Sequence, residues 1–174
     1  MAENPEPGTQ NRPYSYRNLL LWQKAQELTL AVIQVVSRLP KDPAAAVIGR
    51  QIIGSASSIA ANVAEGHGRF SLPAHRNHLS IAKGSACETD GWLDLLRRTG
   101  FLDAAMESRL HEACDELIRM LTAKIVQFER VEKSKSSRLS EEMSPYTPSD
   151  YVAGRFSVLG SAICTLHLSQ TYKG

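Results

Sequence analysis

The stretch Ser57–Phe70, SSIAANVAEGHGRF, decides how this chain is read. Its first half continues an Ala-rich pattern from about Ala44, in which Ile48, Ile52, Ser55, Ile59 and Val63 recur at spacings of 4, 3, 4 and 4. That rhythm gathers one stripe on one helix face, as packing in a bundle requires. Large and small residues alternate along the stripe. Small residues let a neighbouring helix approach closely, so this second helix is expected to lie deepest. The second half of the stretch stops it. Gly66 stands where a left-handed C′ residue is wanted, and Gly68 loosens the turn further.

The same period recurs on both sides. Leu21, Ala25, Leu28, Val32, Val35 and Leu39, spaced 4, 3, 4, 3 and 4, form the seam of a first helix that starts near Tyr16 and stops at Pro40. Ser71 is the expected N-cap of a third helix, with Pro73 in a first turn where a missing N–H costs nothing. Two stripes follow on it: Ile81, Ser85, Glu88, Trp92 and Leu95, then Ala82, Ala86, Thr89, Leu93 and Leu96 one residue later. TGFLD (Thr99–Asp103) ends that helix, Gly100 breaking it and Asp103 capping the next. Leu110, Cys114, Leu117, Leu121, Ile125 and Phe128 mark the fourth, which is expected to end near Lys133. Connections of a few residues favour antiparallel neighbours. The expected fold is all-α, an antiparallel up-and-down four-helix bundle over residues 15–133. Residues 1–14, rich in Pro, Gly, Asn and Glu, read as a disordered N-terminal tail. Residues 134–174 read as a linker and a poorly ordered C-terminal tail.

Composition bounds the class. The 174 residues suffice for one real core, and 43% hydrophobic with 6% aromatic residues suits aliphatic packing. Net charge is +2, from 20 basic and 18 acidic residues, so an argument for nucleic acid must come from where the charges sit. Cys87, Cys114 and Cys164 are odd in number and lack metal-type spacing, which reads as reduced thiols. The first residues have no basic-then-apolar order, and no apolar run reaches the ~20 residues of a membrane span. A soluble cytoplasmic protein is expected. The first helix also carries a second apolar set, Trp22, Ile33 and Val36, as the third carries two stripes. One stripe serves a bundle monomer, so a homo-oligomer of closed symmetry is expected.

The polar groups at the end of the second helix have two readings. As chemistry, Glu65 would be an acid or base beside His67 and Arg69. As structure, Asn62 and Glu65 tie the helix end to its neighbours, with Arg69 pairing Glu65, or Glu88 or Asp90 on the next helix. No nucleophile or second matched carboxylate stands at a useful spacing, so the structural reading is preferred: no catalytic residue, and a structural polar cluster of Asn62, Glu65, Arg69 and Glu88. Glu65→Gln is then expected mainly to lower the melting temperature. His75 and His78, at i and i+3, read as two exposed histidines at a helix start. Cys87 lies about 13 Å from His78 by helical rise, so no metal and no cofactor is expected. The cations Arg50, Arg69, Arg76, Lys83, Arg97 and Arg98 remain as a candidate nucleic-acid-binding set, though Arg97 and Arg98 also complement the macrodipole of the third helix.

Four strings fall in a recognisable order: LWQKAQEL (Leu21–Leu28), SIAANVAEGHGR (Ser58–Arg69), IAKGSACETD (Ile81–Asp90) and TGFL (Thr99–Leu102). Across about residues 17–130 the chain resembles the four-helix-bundle family first noted in intervening sequences of bacterial 23S ribosomal RNA genes. A relative of that family is the accessory variability protein of diversity-generating retroelements. The resemblance implies a bundle assembled as a ring, a homopentamer in the retroelement member. It also implies a basic surface meeting nucleic acid, a reverse transcriptase as partner, and no catalysis. The chain departs from the family pattern at Ile53 and Gly54, where two arginines are usual, and at His75 and His78, where aromatic residues are common. The resulting expectation is a non-enzymatic, homo-oligomeric accessory protein that binds RNA or DNA through phosphates. The alternative is a protein–protein interaction scaffold with no nucleic-acid role.

Overall fold

The computed structural model describes residues 15–142. The expectations for both tails, residues 1–14 and 143–174, lie outside the described residues. A 3₁₀ turn, Tyr16–Asn18, is capped by Ser15 and leads into α1 (Leu20–Val36). Then come α2 (Pro43–His67), α3 (Leu72–Arg98) and α4 (Ala104–Glu142), with no strand among the described residues. Helix α1 therefore starts later than Tyr16, because Tyr16 is taken into the 3₁₀ turn and packs edge-on against Trp22, 5.3 Å between centroids. Helix α4 continues nine residues beyond Lys133, since Ser134–Glu142 contains no Gly or Pro to stop it.

The caps follow local chemistry. Asp42 Oδ1 accepts from Ala44 N and Ala45 N at the start of α2, where Pro43 fills the first position. Ser71 Oγ accepts from Ala74 N and Asp103 Oδ1 from Met106 N. Gly100, at φ 75°, is the left-handed residue that reverses the chain after α3. Gly66 is not such a residue. It lies inside α2, and the helix ends at Gly68 with φ −79°. Gly66 is needed for space instead: a Cβ there would stand 2.9 Å from His75 Cδ2 and 3.1 Å from His78 Cβ.

Neighbours can be read from the bonds that cross between helices. Thr29 Oγ1 shares its proton between the Ala25 carbonyl and the Ala56 carbonyl of α2 (2.8 and 3.0 Å). Ser85 Oγ on α3 donates to Ser58 Oγ on α2 (3.0 Å). Asp90 on α3 meets His111 on α4, and Lys24 on α1 meets Glu116 on α4 at 2.8 Å. Consecutive helices are thus adjacent and α4 closes on α1, the up-and-down arrangement. The core combines Ala25, Leu28 and Val32 with Ile52, Ile59, Val63, Leu93, Leu96, Leu117 and Leu121, all at or near zero exposure. On α3 the stripe that begins at Ala82 is the core one. Of the earlier stripe Ser85 is buried, Trp92 is half-buried, and Ile81, Glu88 and Leu95 are exposed.

Candidate functional site

The polar residues of α2 and α3 form a chain of contacts along the seam between the two helices. Arg69 Nε donates to His78 Nε2 at 3.0 Å. An arginine Nε–H can only donate, so His78 Nε2 is the unprotonated nitrogen and Nδ1 carries the proton. That proton faces Asn62 Oδ1 at 3.2 Å and Glu65 Oε2 at 3.4 Å. With its oxygen accepting, the Asn62 amide donates to the Ser58 carbonyl (2.9 Å) and Ser58 Oγ (3.1 Å). Ser58 Oγ accepts in turn from Ser85, and one turn further Thr89 Oγ1 lies 2.9 Å from Ser55 Oγ. Each group finds a partner on the facing helix or its own. Half-buried polar side chains would otherwise cost on the order of 1–3 kcal/mol apiece.

The polar cluster expected from sequence is therefore partly redrawn. Asn62, Glu65 and Arg69 do come together, but Glu88 is not with them. It is exposed and accepts from Trp92 Nε1 on its own helix at 3.2 Å, because it falls on the outer stripe of α3. His78 takes the place given to Glu88. Neither His75 nor His78 is exposed: His75 packs edge-on against Phe128 at 4.7 Å, and His78 is held between Arg69 and Asn62. Burial, then His67, Lys124 and His78, push the His75 pKa below its ordinary value. Glu65 is more than half exposed and 3.8 Å from Arg69, so Glu65→Gln is expected to lower the melting temperature only slightly. The missed members His78, Ser58, Ser85 and Thr89 carried one signal, polar side chains at seam positions on consecutive helices.

The six candidate cations do not form one patch. Arg69 is drawn to His78 and Glu65. Arg76 is half-buried between Glu129 (3.7 Å) and Glu132 (3.0 Å) of α4. Arg98 pairs with Asp94 at 2.9 Å. Arg50, Lys83 and Arg97 have no carboxylate at ion-pair distance among the described residues. Arg50 and Arg97 stand at the end where the α1–α2 and α3–α4 connections meet, and three cations outside the expected set, Arg38, Lys41 and Arg109, stand there too. None of these three has an ion pair among the described residues. The local carboxylates are engaged: Asp42 and Asp103 cap helices and Asp94 holds Arg98. Glu107 and Glu27 also stand near these five cations, Glu27 lining one groove with Arg38 and Arg109.

Recesses open on the bundle among the described residues. A groove of about 350 Å³ between α1 and α4 is walled by Lys24, Glu27, Arg38, Arg109 and Glu116 over Leu28 and Leu110. An apolar recess of about 430 Å³ at the opposite end is walled by Leu21, Val63, Leu79, Met120 and Phe128, with His67, His75 and Lys124. Among the described residues no three His, Cys, Asp or Glu side chains stand close enough to hold a metal ion. Cys114 is buried and its thiol is pushed up to about 12, first by that burial, then by Asp90, Asp115 and Cys87. His111 is raised by its hydrogen bond to Asp90 and by that carboxylate's charge.

The described residues form an all-α up-and-down bundle with a polar seam between α2 and α3, and that architecture defines its class. The model of the 23S rRNA-intervening sequence proteins matches residues 17–123, and the chain belongs to that family. Among solved structures it is similar to a protein of unknown function from the S23 ribosomal protein family of Bacteroides thetaiotaomicron. The two are 27% identical with a TM-score of 0.58, over 61% of this chain and 98% of that one. No curated protein matches this chain.

Proposed function

We propose that this protein is a non-enzymatic, self-associating four-helix scaffold that binds nucleic acid through its phosphate backbone. The observation that carries the reading is the end of the bundle where Arg38, Lys41, Arg50, Arg97 and Arg109 stand without ion pairs among the described residues, while Asp42 and Asp103 serve as caps and Asp94 is held by Arg98. Cations without partners contact phosphates with no exchange of ion pairs, and repetition in an oligomer turns a weak patch into an array. Phosphate contacts position the scaffold without reading bases. Where a reverse transcriptase is encoded beside this gene, that enzyme is the expected protein partner. Titrating labelled RNA and DNA between ~50 and ~200 mM salt tests the reading, because log K must fall linearly with log salt. Arg97→Ala with Arg109→Ala should reduce the slope by about 0.9 for each phosphate that is no longer neutralised. Absence of binding at ~50 mM salt, or a slope unchanged in the double variant, rejects it.

A second reading, a protein-interaction scaffold without nucleic acid, is favoured by exposed Ile33, Ile81 and Leu95. Recovery of a protein partner from the native host by a variant that no longer binds RNA or DNA would support it.

A further inference from the structure

Every helix contributes to the apolar recess at the end of the bundle where α2 gives way to α3. Leu21 of α1, Val63 of α2, Leu79 of α3, and Met120 and Phe128 of α4 wall it. Val63 and Leu79, each 1% exposed, are its most buried side chains. Its volume of about 430 Å³ falls within the roughly 300–1,000 Å³ of small-molecule sites. The walls of such an opening forgo the contacts that a close-packed interior would make.

The polar side chains of the wall are of one kind. His67, His75 and Lys124 bring nitrogen, the α1 side supplies only leucines, and no carboxylate lines the recess among the described residues. Carboxylates close by in the chain are held elsewhere: Glu65 by Arg69 and His78, Glu129 and Glu132 by Arg76. Lys124 is exposed and has no ion pair among the described residues. Its ammonium donates to Gln127 Oε1 at 3.1 Å and lies 5.1 Å from the centre of the Phe128 ring, the ring that His75 meets edge-on. Phe128 therefore brings the Lys124 charge and the His75 imidazole to one side of the recess. Gly66 holds the imidazole from behind, since a Cβ there would stand 2.9 Å from His75 Cδ2. Burial, then His67, Lys124 and His78, keep the His75 pKa low, so positive charge is already crowded at this wall.

We infer that this recess binds a small amphipathic carboxylate, its apolar body against Val63, Leu79 and Met120 and its charged head accepting from Lys124 and His75. Burial of the apolar body supplies most of the affinity. The head neutralises charge that the wall leaves uncompensated, and hydrogen bonds to an ionised group are the stronger kind. Met120, unbranched and polarizable, adapts to the shape of the body. A bare phosphate fits poorly, because several of its oxygens would face aliphatic wall without donors. The site stands apart from Arg97 and Arg109 at the other end of the bundle and does not depend on phosphate binding there.

The test is calorimetric titration of the full chain with octanoate, octanol and octylamine, all below micelle-forming concentrations. Octanoate should bind saturably. Octanol, a similar apolar body without charge, should bind about tenfold more weakly, and octylamine more weakly still. Lys124→Met, at an exposed position, should leave the far-UV spectrum intact, weaken octanoate about tenfold and leave octanol unchanged. In NMR, octanoate should shift the Met120 methyl signal and raise the His75 titration midpoint, whereas octanol brings no charge and should not raise it. The inference is overturned by octanol binding as tightly as octanoate, by unchanged octanoate affinity in Lys124→Met, or by a His75 midpoint that does not rise. Capture of the chain by anionic phospholipid vesicles without binding of free octanoate also overturns it. Phosphate binding is read separately with Arg97→Ala and Arg109→Ala, so failure of either result leaves the other standing.

Discussion

Arg69 Nε lies 3.0 Å from His78 Nε2, and this single contact sets the direction of every hydrogen bond from there to Ser58. Because the guanidinium donates, the imidazole is neutral with its proton on Nδ1, and Asn62 is oriented with its oxygen toward α3. Nitrogen-15 NMR of the imidazole should report the Nδ1–H tautomer for His78. An Nε2–H tautomer would dismantle the whole assignment.

Asn62→Ala should be the most costly change in this seam. It removes the acceptor 3.2 Å from His78 Nδ1, leaving that nitrogen to Glu65, and the amide that ties the Ser58 hydroxyl and carbonyl. The expected destabilisation is about 1–3 kcal/mol in urea denaturation, against a few tenths for the exposed Glu65→Gln.

Glycine substitutions should divide by environment. Gly66→Ala puts a methyl group 2.9 Å from the His75 ring and should destabilise by about 1–3 kcal/mol, less the gain in helix propensity. Gly91→Ala meets nothing within 4 Å and should stabilise by about 0.5–1 kcal/mol. Thermal melts of the two variants shifting in the same direction would contradict this packing of α2 on α3.

Thiol reactivity should separate two cysteines. Cys87 is exposed, whereas Cys114 is buried with its thiol pushed up to about 12, so thiolate is scarce and access is blocked. Brief alkylation at pH 7.5 followed by peptide mapping should label Cys87 and spare Cys114 until denaturant is added.

His111 should titrate above the ordinary histidine value of 6.5 because Asp90 favours its charged form. Its contribution to stability is then fully present below pH 6.5 and lost as pH rises through the raised value. The sign is opposite for His75, whose lowered pKa makes stability fall as pH drops below 6.5. Proton NMR titration of Asp90→Asn should bring the His111 midpoint down. An unmoved midpoint would mean that the Asp90 contact is not made in solution.

Local chemistry alone accounts for much of the fold. The 3.6-residue period exposed four seams, and Ser71, Asp103 and Gly100 marked ends that the structure keeps, because capping and chain reversal are settled by the few residues next to them. The same locality identified Asn62, Glu65 and Arg69 as one polar group. Which of two adjacent stripes on α3 faces inward was not legible, since both fit the period and only packing against α2 and α4 selects Ala82 over Ile81. Arg69 meets Glu65 as expected, but its bond to His78 was not legible. Glu88 and His78 are both within a helix's reach in sequence, but the antiparallel register of α2 on α3 brings only His78 level with Asn62. Sequence determined the periods and the punctuation. Tertiary structure decided which stripe is dry and which polar groups meet, because rotation and register are set jointly by all the helices that share the core.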